Sequence, residues 1–315
     1  MPADVQCPNV VVIVGPTGSG KTDLALALAR KFNGELIAAD SRTVYRGMDI
    51  GTAKPTEPHH LVDIRDLDQP YSAAEFKADA ERLIRGITAR RRVPIIVGGT
   101  GLYIKALVDN LSLPAIPAQP KIRESLGQQS NRELIALLRR IDPITARAID
   151  RKNKRRLIRA LEVCIFTGQP FSALRTKGEP LFEFLQIGVT RTRAALYRRI
   201  DARTRAMFRA GLMEEVRHLF ARYGPDAEPL RGIIYREVVE YLTHMHDRDH
   251  VFGGSFRAGL RALQQRIMFA NHRYARHQLM WFKRDERIHW VRTARQAEKL
   301  VRLFLSSSRP SGEGA

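Results

Sequence analysis

An α/β fold is predicted for this chain of 315 residues: a parallel sheet of the phosphate-loop (P-loop) type flanked by helices, with an inserted all-helical domain and a helical C-terminal region. Three observations predict it. Short apolar runs alternate with helix-period segments over the first third, the pattern of a parallel sheet covered on both faces. A glycine-rich octapeptide joins the first apolar run to the first helical segment. Pro114, Pro117 and Pro120 then end the alternation, and only helical spacing follows for some distance.

The elements are justified in order. Residues 10–14 are the first strand, and Leu24, Leu26, Leu28 and Phe32 mark the helix behind it. Further strands are expected at 35–39, 60–64 and 93–97. Ser72-Ala73-Ala74-Glu75 has the pattern of a capping box and starts a helix running toward Arg90. Residues 1–113 are read as the core. Residues 114–180 are read as the helical insert, where Leu134, Leu137, Leu138 and Ile141 recur at helical spacing. Residues 181–305 return to the core: a strand at 183–189, helices at 193–210, 212–220 and 257–278, a short strand at 288–291 and a helix at 295–305. The Ser-, Pro- and Gly-rich residues 306–315 are expected to be a disordered tail.

Composition narrows the class of function. With 44% apolar residues the chain can build a core, and its formal charge of +20 calls for a polyanionic partner. Cys7 and Cys164 share no metal-ligand spacing, which excludes a disulfide framework and a structural zinc site and fits a reducing cytoplasm. No signal-peptide pattern and no run of 18 apolar residues is present. A cytoplasmic protein with no membrane association is therefore expected.

Gly15-Pro16-Thr17-Gly18-Ser19-Gly20-Lys21-Thr22 follows a strand and opens a helix, the context this phosphate-binding pattern requires. Glycines let backbone N–H groups turn toward phosphate oxygens, and the helix adds the positive end of its dipole. Lys21 supplies a point charge, and the Thr22 hydroxyl is the expected Mg²⁺ ligand. Asp40-Ser41 ends the second strand, where a carboxylate serves as a base, a metal ligand or a helix cap. Gly98-Gly99-Thr100-Gly101 ends another strand and brings a hydroxyl to the same sheet edge.

Two basic clusters stand apart from the loop. Arg151, Lys152, Lys154, Arg155, Arg156 and Arg159 carry one sign of charge. At helical spacing Arg155 and Arg159 share a face that is expected to be free for phosphates, while Leu157, Leu161 and Ile165 pack. Residues 273–284 interleave Tyr274, Trp281 and Phe282 with cations, a mixture suited to base stacking and backbone contact, or to a helix end whose Trp281 and Phe282 are core.

Together these segments resemble the tRNA dimethylallyltransferases, also called tRNA isopentenyltransferases. The most specific match is Gly47-Met48-Asp49-Ile50-Gly51-Thr52-Ala53-Lys54-Pro55. His59-His60-Leu61-Val62-Asp63-Ile64, Tyr71-Ser72-Ala73-Ala74-Glu75-Phe76, Gly98-Gly99-Thr100-Gly101-Leu102-Tyr103, Arg159-Ala160-Leu161-Glu162-Val163, and Gln278 with Trp281 extend it over nearly the whole chain. The departures are Thr43 for Gln, Ile234 for Gly before Tyr235-Arg236-Glu237, Met280 for Thr before Trp281, and Asn153-Lys154-Arg155-Arg156 without the usual acid.

The resemblance implies transfer of a dimethylallyl group from dimethylallyl diphosphate to N6 of adenosine-37, beside the anticodon, in tRNAs reading codons that begin with U. It implies that Gly15 to Thr22 hold the donor diphosphate with Mg²⁺ at Thr22, that Asp40 is the base, that Thr100 touches the acceptor, and that Arg217 clamps the diphosphate. It further implies tRNA contacts from Asp40, Ser41, Arg42, Thr43, Thr100, Ile122, Arg155, Arg156, Leu157, Ile158, Arg159, Arg236, Arg276, Gln278 and Trp281. The partners are then the anticodon stem-loop of tRNA and dimethylallyl diphosphate, met by a monomer. The alternatives are an adenylate isopentenyltransferase acting on AMP, ADP or ATP, and a P-loop kinase or NTPase.

Overall fold

The computed structural model of the chain describes residues 7–114, 116–225, 227–248 and 256–307. In chain order the elements are β1 (Asn9–Val14), α1 (Lys21–Lys31), β2 (Gly34–Ala39), α2 (Ala73–Ala89), β3 (Val93–Gly98) and α3 (Gly101–Val108). They continue with α4 (Pro120–Gly127), α5 (Asn131–Ile141), α6 (Pro143–Ala148), α7 (Lys154–Thr167) and α8 (Phe171–Leu174). The last group is β4 (Glu183–Val189), α9 (Arg193–Arg209), α10 (Leu212–Tyr223), α11 (Ile233–Arg248), α12 (Phe256–Phe282), β5 (Ile288–Val291) and α13 (Ala294–Ser307).

Two compact units are formed. The larger takes in residues up to 72, 78–104 and those from 182 onward; the smaller takes in 73–77 and 105–181. In the larger unit the five strands run parallel in the order β2-β3-β1-β4-β5. Val11, Ile13, Ile95, Val97, Leu185 and Ile187 form one core face with Leu24, Ala25 and Leu28 of α1 and Ala297 and Val301 of α13. Such β-branched runs are what strands covered on both faces require. The chain leaves β1 toward β2 on one side and leaves β3 toward β4 on the other. Ligands bind at that kind of divergence, beyond the carboxyl ends of the strands.

The smaller unit packs α4–α8 around Leu126, Leu134, Ile135, Leu138, Ala146, Leu157, Ala160, Leu161 and Cys164. Ser130 and Glu133 form a reciprocal capping box at the start of α5. Glu162 of α7 is fully buried here. It accepts hydrogen bonds from Gln119 N (2.7 Å), Arg123 Nε (2.7 Å) and Arg159 Nη1 (2.6 Å).

The expected strands at 10–14, 35–39, 93–97, 183–189 and 288–291 all form, within a residue or two. The strand expected at 60–64 does not. Only His60 pairs with the edge of β2, through His60 N to Leu36 O (2.8 Å) and Ala38 N to His60 O (3.0 Å). Leu61 and Asp63 adopt positive φ of 65° and 55°, so the chain turns where an extended run was expected. The third helix of the C-terminal region runs on to Phe282, and α11 was not anticipated at all. Ser306 and Ser307 belong to α13 rather than to a tail. The expected tail from 308 to 315 lies outside the described residues. No helix among the described residues is long and apolar enough to cross a membrane.

Candidate active site

The carboxyl ends of β1, β2 and β3 bring three loops together. Register aligns Val14 with Gly98 and Ala39 with Gly98, so all three strands end level. Thr100 N donates to Ala39 O (3.3 Å), and Ser41 N donates to Thr100 Oγ1 (3.1 Å). The carboxylate loop and the threonine loop are thus tied to each other directly. Asp40 Oδ1 accepts from Arg42 N (2.8 Å) and Thr43 N (3.4 Å), so one oxygen performs the capping role and fixes the carboxylate in place. Arg42 is held by Glu228 through Nη1 (2.9 Å) and Nη2 (3.2 Å). Thr43 is buried, and its hydroxyl has no hydrogen-bond partner.

The phosphate loop turns on Gly18 and Gly20, at φ of 79° and 89°, a region that costs other residues strain. It leads into α1 with no side-chain cap, leaving the helix N-terminus to an incoming anion. Three arginines hold its carbonyl and hydroxyl side. Arg191 Nε donates to Ser19 O (2.6 Å), Arg199 Nε donates to Gly18 O (2.9 Å), and Arg203 Nη2 donates to Thr17 Oγ1. Lys21 Nζ donates to Pro16 O at 3.4 Å.

The electrostatics of this loop are those of a site built for an anion. Desolvation, helped by the neighbouring Arg203, pushes Lys21 down to about 8, against the pull of Asp40. Desolvation also lowers Arg203; Asp40 pulls it up and Arg199 pushes it further down. Two desolvated cations that repel each other are stabilised by a bound polyanion. Ser19 Oγ is buried and has no hydrogen-bond partner among the described residues.

The Thr22 hydroxyl, at the second position of α1, is the oxygen that would be offered to Mg²⁺, a cation that takes few protein ligands. No group of three or more His, Cys, Asp or Glu among the described residues forms a metal cage.

The structure brings some of the residues proposed from sequence to this edge and places others elsewhere. Arg217 makes no hydrogen bond or ion pair with the loop among the described residues. It is exposed on α10, with Glu214 at 3.9 Å, and lines a separate hollow of about 520 Å³ with Arg205, Phe208 and Arg209. Arg205 lies across α9 from Arg203, since two residues turn the helix roughly 200°. Arg203, through Thr17, is an arginine that the structure does bring to the loop, and its spacing of four from Arg199 was the sequence signal. Gln278 is buried, with both ends of its amide bonded inside the protein, which withdraws it from direct RNA contact.

Leu157 is wholly buried in the smaller unit's core, and Ile122 and Ile158 pack against that core. Arg159 donates to Glu162 and to Ile116 O (2.9 Å), so the face it was expected to share freely with Arg155 is spent on internal structure. Arg151, Lys152, Arg155 and Arg156 stay exposed. Arg276 is exposed, Trp281 is half-buried against Gly101, and Arg236 pairs with Glu237 at 3.3 Å.

Sequence reasoning missed Glu215. Its carboxylate accepts from Asp49 N (3.0 Å), Ile50 N (2.6 Å), Gly51 N (3.0 Å) and the Tyr235 hydroxyl (2.6 Å). Lys54 bridges Asp49 and Asp63 and donates to Tyr45 O (3.0 Å). The most specific stretch of the sequence is thus a loop locked by charge, next to the segment that carries Asp40.

The family model described as IPP transferase matches residues 43–285, and one described as isopentenyl transferase matches residues 8–66. The chain belongs to the IPP transferase family. It is 42% identical over 292 residues to a tRNA dimethylallyltransferase of Thermomicrobium roseum, covering 89% of this chain and 85% of that one. It is 43% identical over 287 residues to a tRNA dimethylallyltransferase of Chloroflexus aurantiacus, covering 88% and 93%. The solved structure of a full-length tRNA isopentenylpyrophosphate transferase from Bacillus halodurans superposes with a TM-score of 0.68 at 34% identity, covering 95% of this chain and 97% of that one. Membership of this family accounts for the phosphate loop beside Asp40 and Thr100, and disfavours the kinase reading.

Proposed function

We propose that this IPP transferase transfers the dimethylallyl group of dimethylallyl diphosphate to N6 of adenosine-37, the adenosine immediately 3′ of the anticodon, in tRNAs reading codons that begin with U. The observation that carries the proposal is the phosphate loop with two desolvated, mutually repelling cations, Lys21 and Arg203, opposite a carboxylate fixed at Asp40.

The residues divide the chemistry as follows. The diphosphate sits on the loop from Gly15 to Thr22, and the positive end of α1 faces it. Lys21 and Arg203 meet charge that grows on the diphosphate as the bond from the donor's C1 to oxygen breaks. Fixed in advance, they stabilise that charge without reorganising. The electron pair of that bond leaves with the diphosphate. The lone pair of N6 forms the new N6–C1 bond, and the N6 proton passes to Asp40. Mg²⁺, when bound through Thr22, neutralises part of the leaving group's charge.

Thr100, held by Ser41 N, offers its hydroxyl to the acceptor at the same edge. An adenine reaches this edge only by leaving its stack. The exposed cations Arg151, Lys152, Arg155 and Arg156 supply phosphate contacts for the RNA. The protein acts as a monomer in the cytoplasm. The test is nucleoside analysis of an anticodon stem-loop incubated with protein, donor and Mg²⁺. Gain of one dimethylallyl group on the adenosine 3′ of the anticodon, and none when guanosine replaces it, is the expected result. Modification elsewhere in the stem-loop refutes it.

A further inference from the structure

Gln278 of α12 lies between the two halves of the candidate site. Its Oε1 accepts from Thr17 N of the phosphate loop (2.8 Å), and its Nε2 donates to Gly99 O (2.9 Å), the residue before Thr100. These bonds span 261 and 179 positions of sequence. A carbonyl oxygen facing an N–H, and an NH₂ facing a carbonyl, fix the amide's orientation without ambiguity.

The surroundings leave no room for another arrangement. Gln278 is 7% exposed. A Cβ added at Gly99 would lie 2.3 Å from Gln278 Nε2, and one at Gly101 would lie 2.2 Å from Trp281 Nε1. Gly99 and Gly101 are thus matched to the last turns of α12, which rests directly on that loop. Neither a carboxylate, which lacks the donor, nor an apolar side chain makes both bonds.

We infer that Gln278 is a positioning residue that couples the donor and acceptor halves of the site, bracing the phosphate loop at Thr17 against the loop that presents Thr100. Three consequences follow. The Thr17 N–H is committed to Gln278, so diphosphate is bound by the remaining loop amides. The Thr17 hydroxyl, held from the other side by Arg203, cannot turn away while the amide is in place. Gln278 adds a side-chain brace to the spacing that the β1–β3 pairing gives the two loops, and small misplacements of reacting atoms lower rate steeply.

The inference rests on the donor reading above, and the experiment separates the two. Binding of inorganic diphosphate with Mg²⁺, binding of an anticodon stem-loop, and kcat and KM for transfer are measured on full-length wild type, Gln278→Ala, Gln278→Met, Gly99→Ala and the Gly99→Ala/Gln278→Ala double variant. Gln278→Met keeps the side chain's bulk while removing both bonds. Gly99 is outside the positive-φ region, so Gly99→Ala acts by displacing the amide.

Each single variant is expected to bind diphosphate at least tenfold more weakly and to lose kcat, with stem-loop affinity within about twofold of wild type. The double variant should be no worse than Gln278→Ala, because both changes break one coupling. Wild-type diphosphate affinity and kcat in Gln278→Met and Gly99→Ala overturn the inference. Loss confined to stem-loop affinity also overturns it, making Gln278 an RNA contact. A wild-type protein that takes up no diphosphate overturns the donor reading, and this inference with it.

Discussion

Replacing Glu162 by Gln should unlock the smaller unit while leaving the donor site intact. Glu162 is fully buried and accepts four hydrogen bonds, from Gln119 N, from Arg123 Nε and Nη2, and from Arg159 Nη1. Burial pushes its carboxyl up, but the bonds from Arg123, Gln119 N and Arg159 outweigh this and hold it below the usual glutamate range. Removing one member of a buried pair costs about 3–5 kcal/mol. Arg123 and Arg159 are 46% and 33% exposed, so water recovers part of that cost and the lower end, about 3 kcal/mol, applies.

At 1.4 kcal/mol per tenfold, hydrogen exchange of α7 amides should speed up on the order of a hundredfold in Glu162→Gln. The linkage has a definite sign. A folded carboxyl held below its unfolded value stabilises above the unfolded pKa of about 4.3 and stops doing so as pH falls through the folded one. Wild-type α7 protection should therefore drop as pH falls below about 4, and the variant should lose that dependence. Diphosphate affinity should stay at the wild-type value. Unchanged α7 exchange would refute the claim that Arg159 serves this unit's internal structure; α7 would then present Arg159 to RNA.

Three further predictions concern the site. Arg203→Ala should weaken diphosphate binding on the order of tenfold to a hundredfold, as expected when one charge-assisted hydrogen bond is removed, while Arg217→Ala should leave it unchanged by calorimetry. Diphosphate affinity should fall as pH rises above about 8, where free Lys21 loses its proton, approaching tenfold per unit; Lys21→Met should bind weakly with a flat profile over that range. Neutralising Arg151, Lys152, Arg155 and Arg156 together should weaken stem-loop binding and flatten its salt dependence, by about 0.7–0.9 in log–log slope for each RNA phosphate that is no longer neutralised, with diphosphate affinity unaffected.

Local patterns were legible in the sequence where one chemical requirement dictates the residues. The phosphate loop needs glycines and a lysine at fixed offsets, and a doubly covered strand needs an apolar run. Both were found, as was the meeting of Asp40 with Thr100 at one edge. The misses share a different cause. Residues 60–64 read as a strand because Leu61, Val62 and Ile64 are apolar, but their backbone follows a lock between Lys54 and Asp63 that no window reveals. Arg217 and Arg203 sit on successive helices of similar charge, and only the rotation of α9 decides which one faces the loop. Gln278 and Glu215 act through backbone atoms remote in sequence, so neither periodicity nor composition could assign them. Arg159 belongs to a basic run, yet its fate was set by one buried acid, Glu162, inside the next helical turn.

The central claim is that a single edge of the sheet joins a prenyl diphosphate to the base of a structured RNA. Its most direct test is transfer of labelled dimethylallyl group by the purified full chain with Mg²⁺, offered an anticodon stem-loop and AMP in parallel, with Asp40→Asn beside the wild type. Asp40→Asn keeps an oxygen to accept the bonds from Arg42 N and Thr43 N and removes the base. Label on the stem-loop, with rate reduced on the order of a hundredfold or more in Asp40→Asn and diphosphate binding retained, is the predicted result. Label on AMP in preference to the stem-loop, or wild-type rate in Asp40→Asn, would contradict the account.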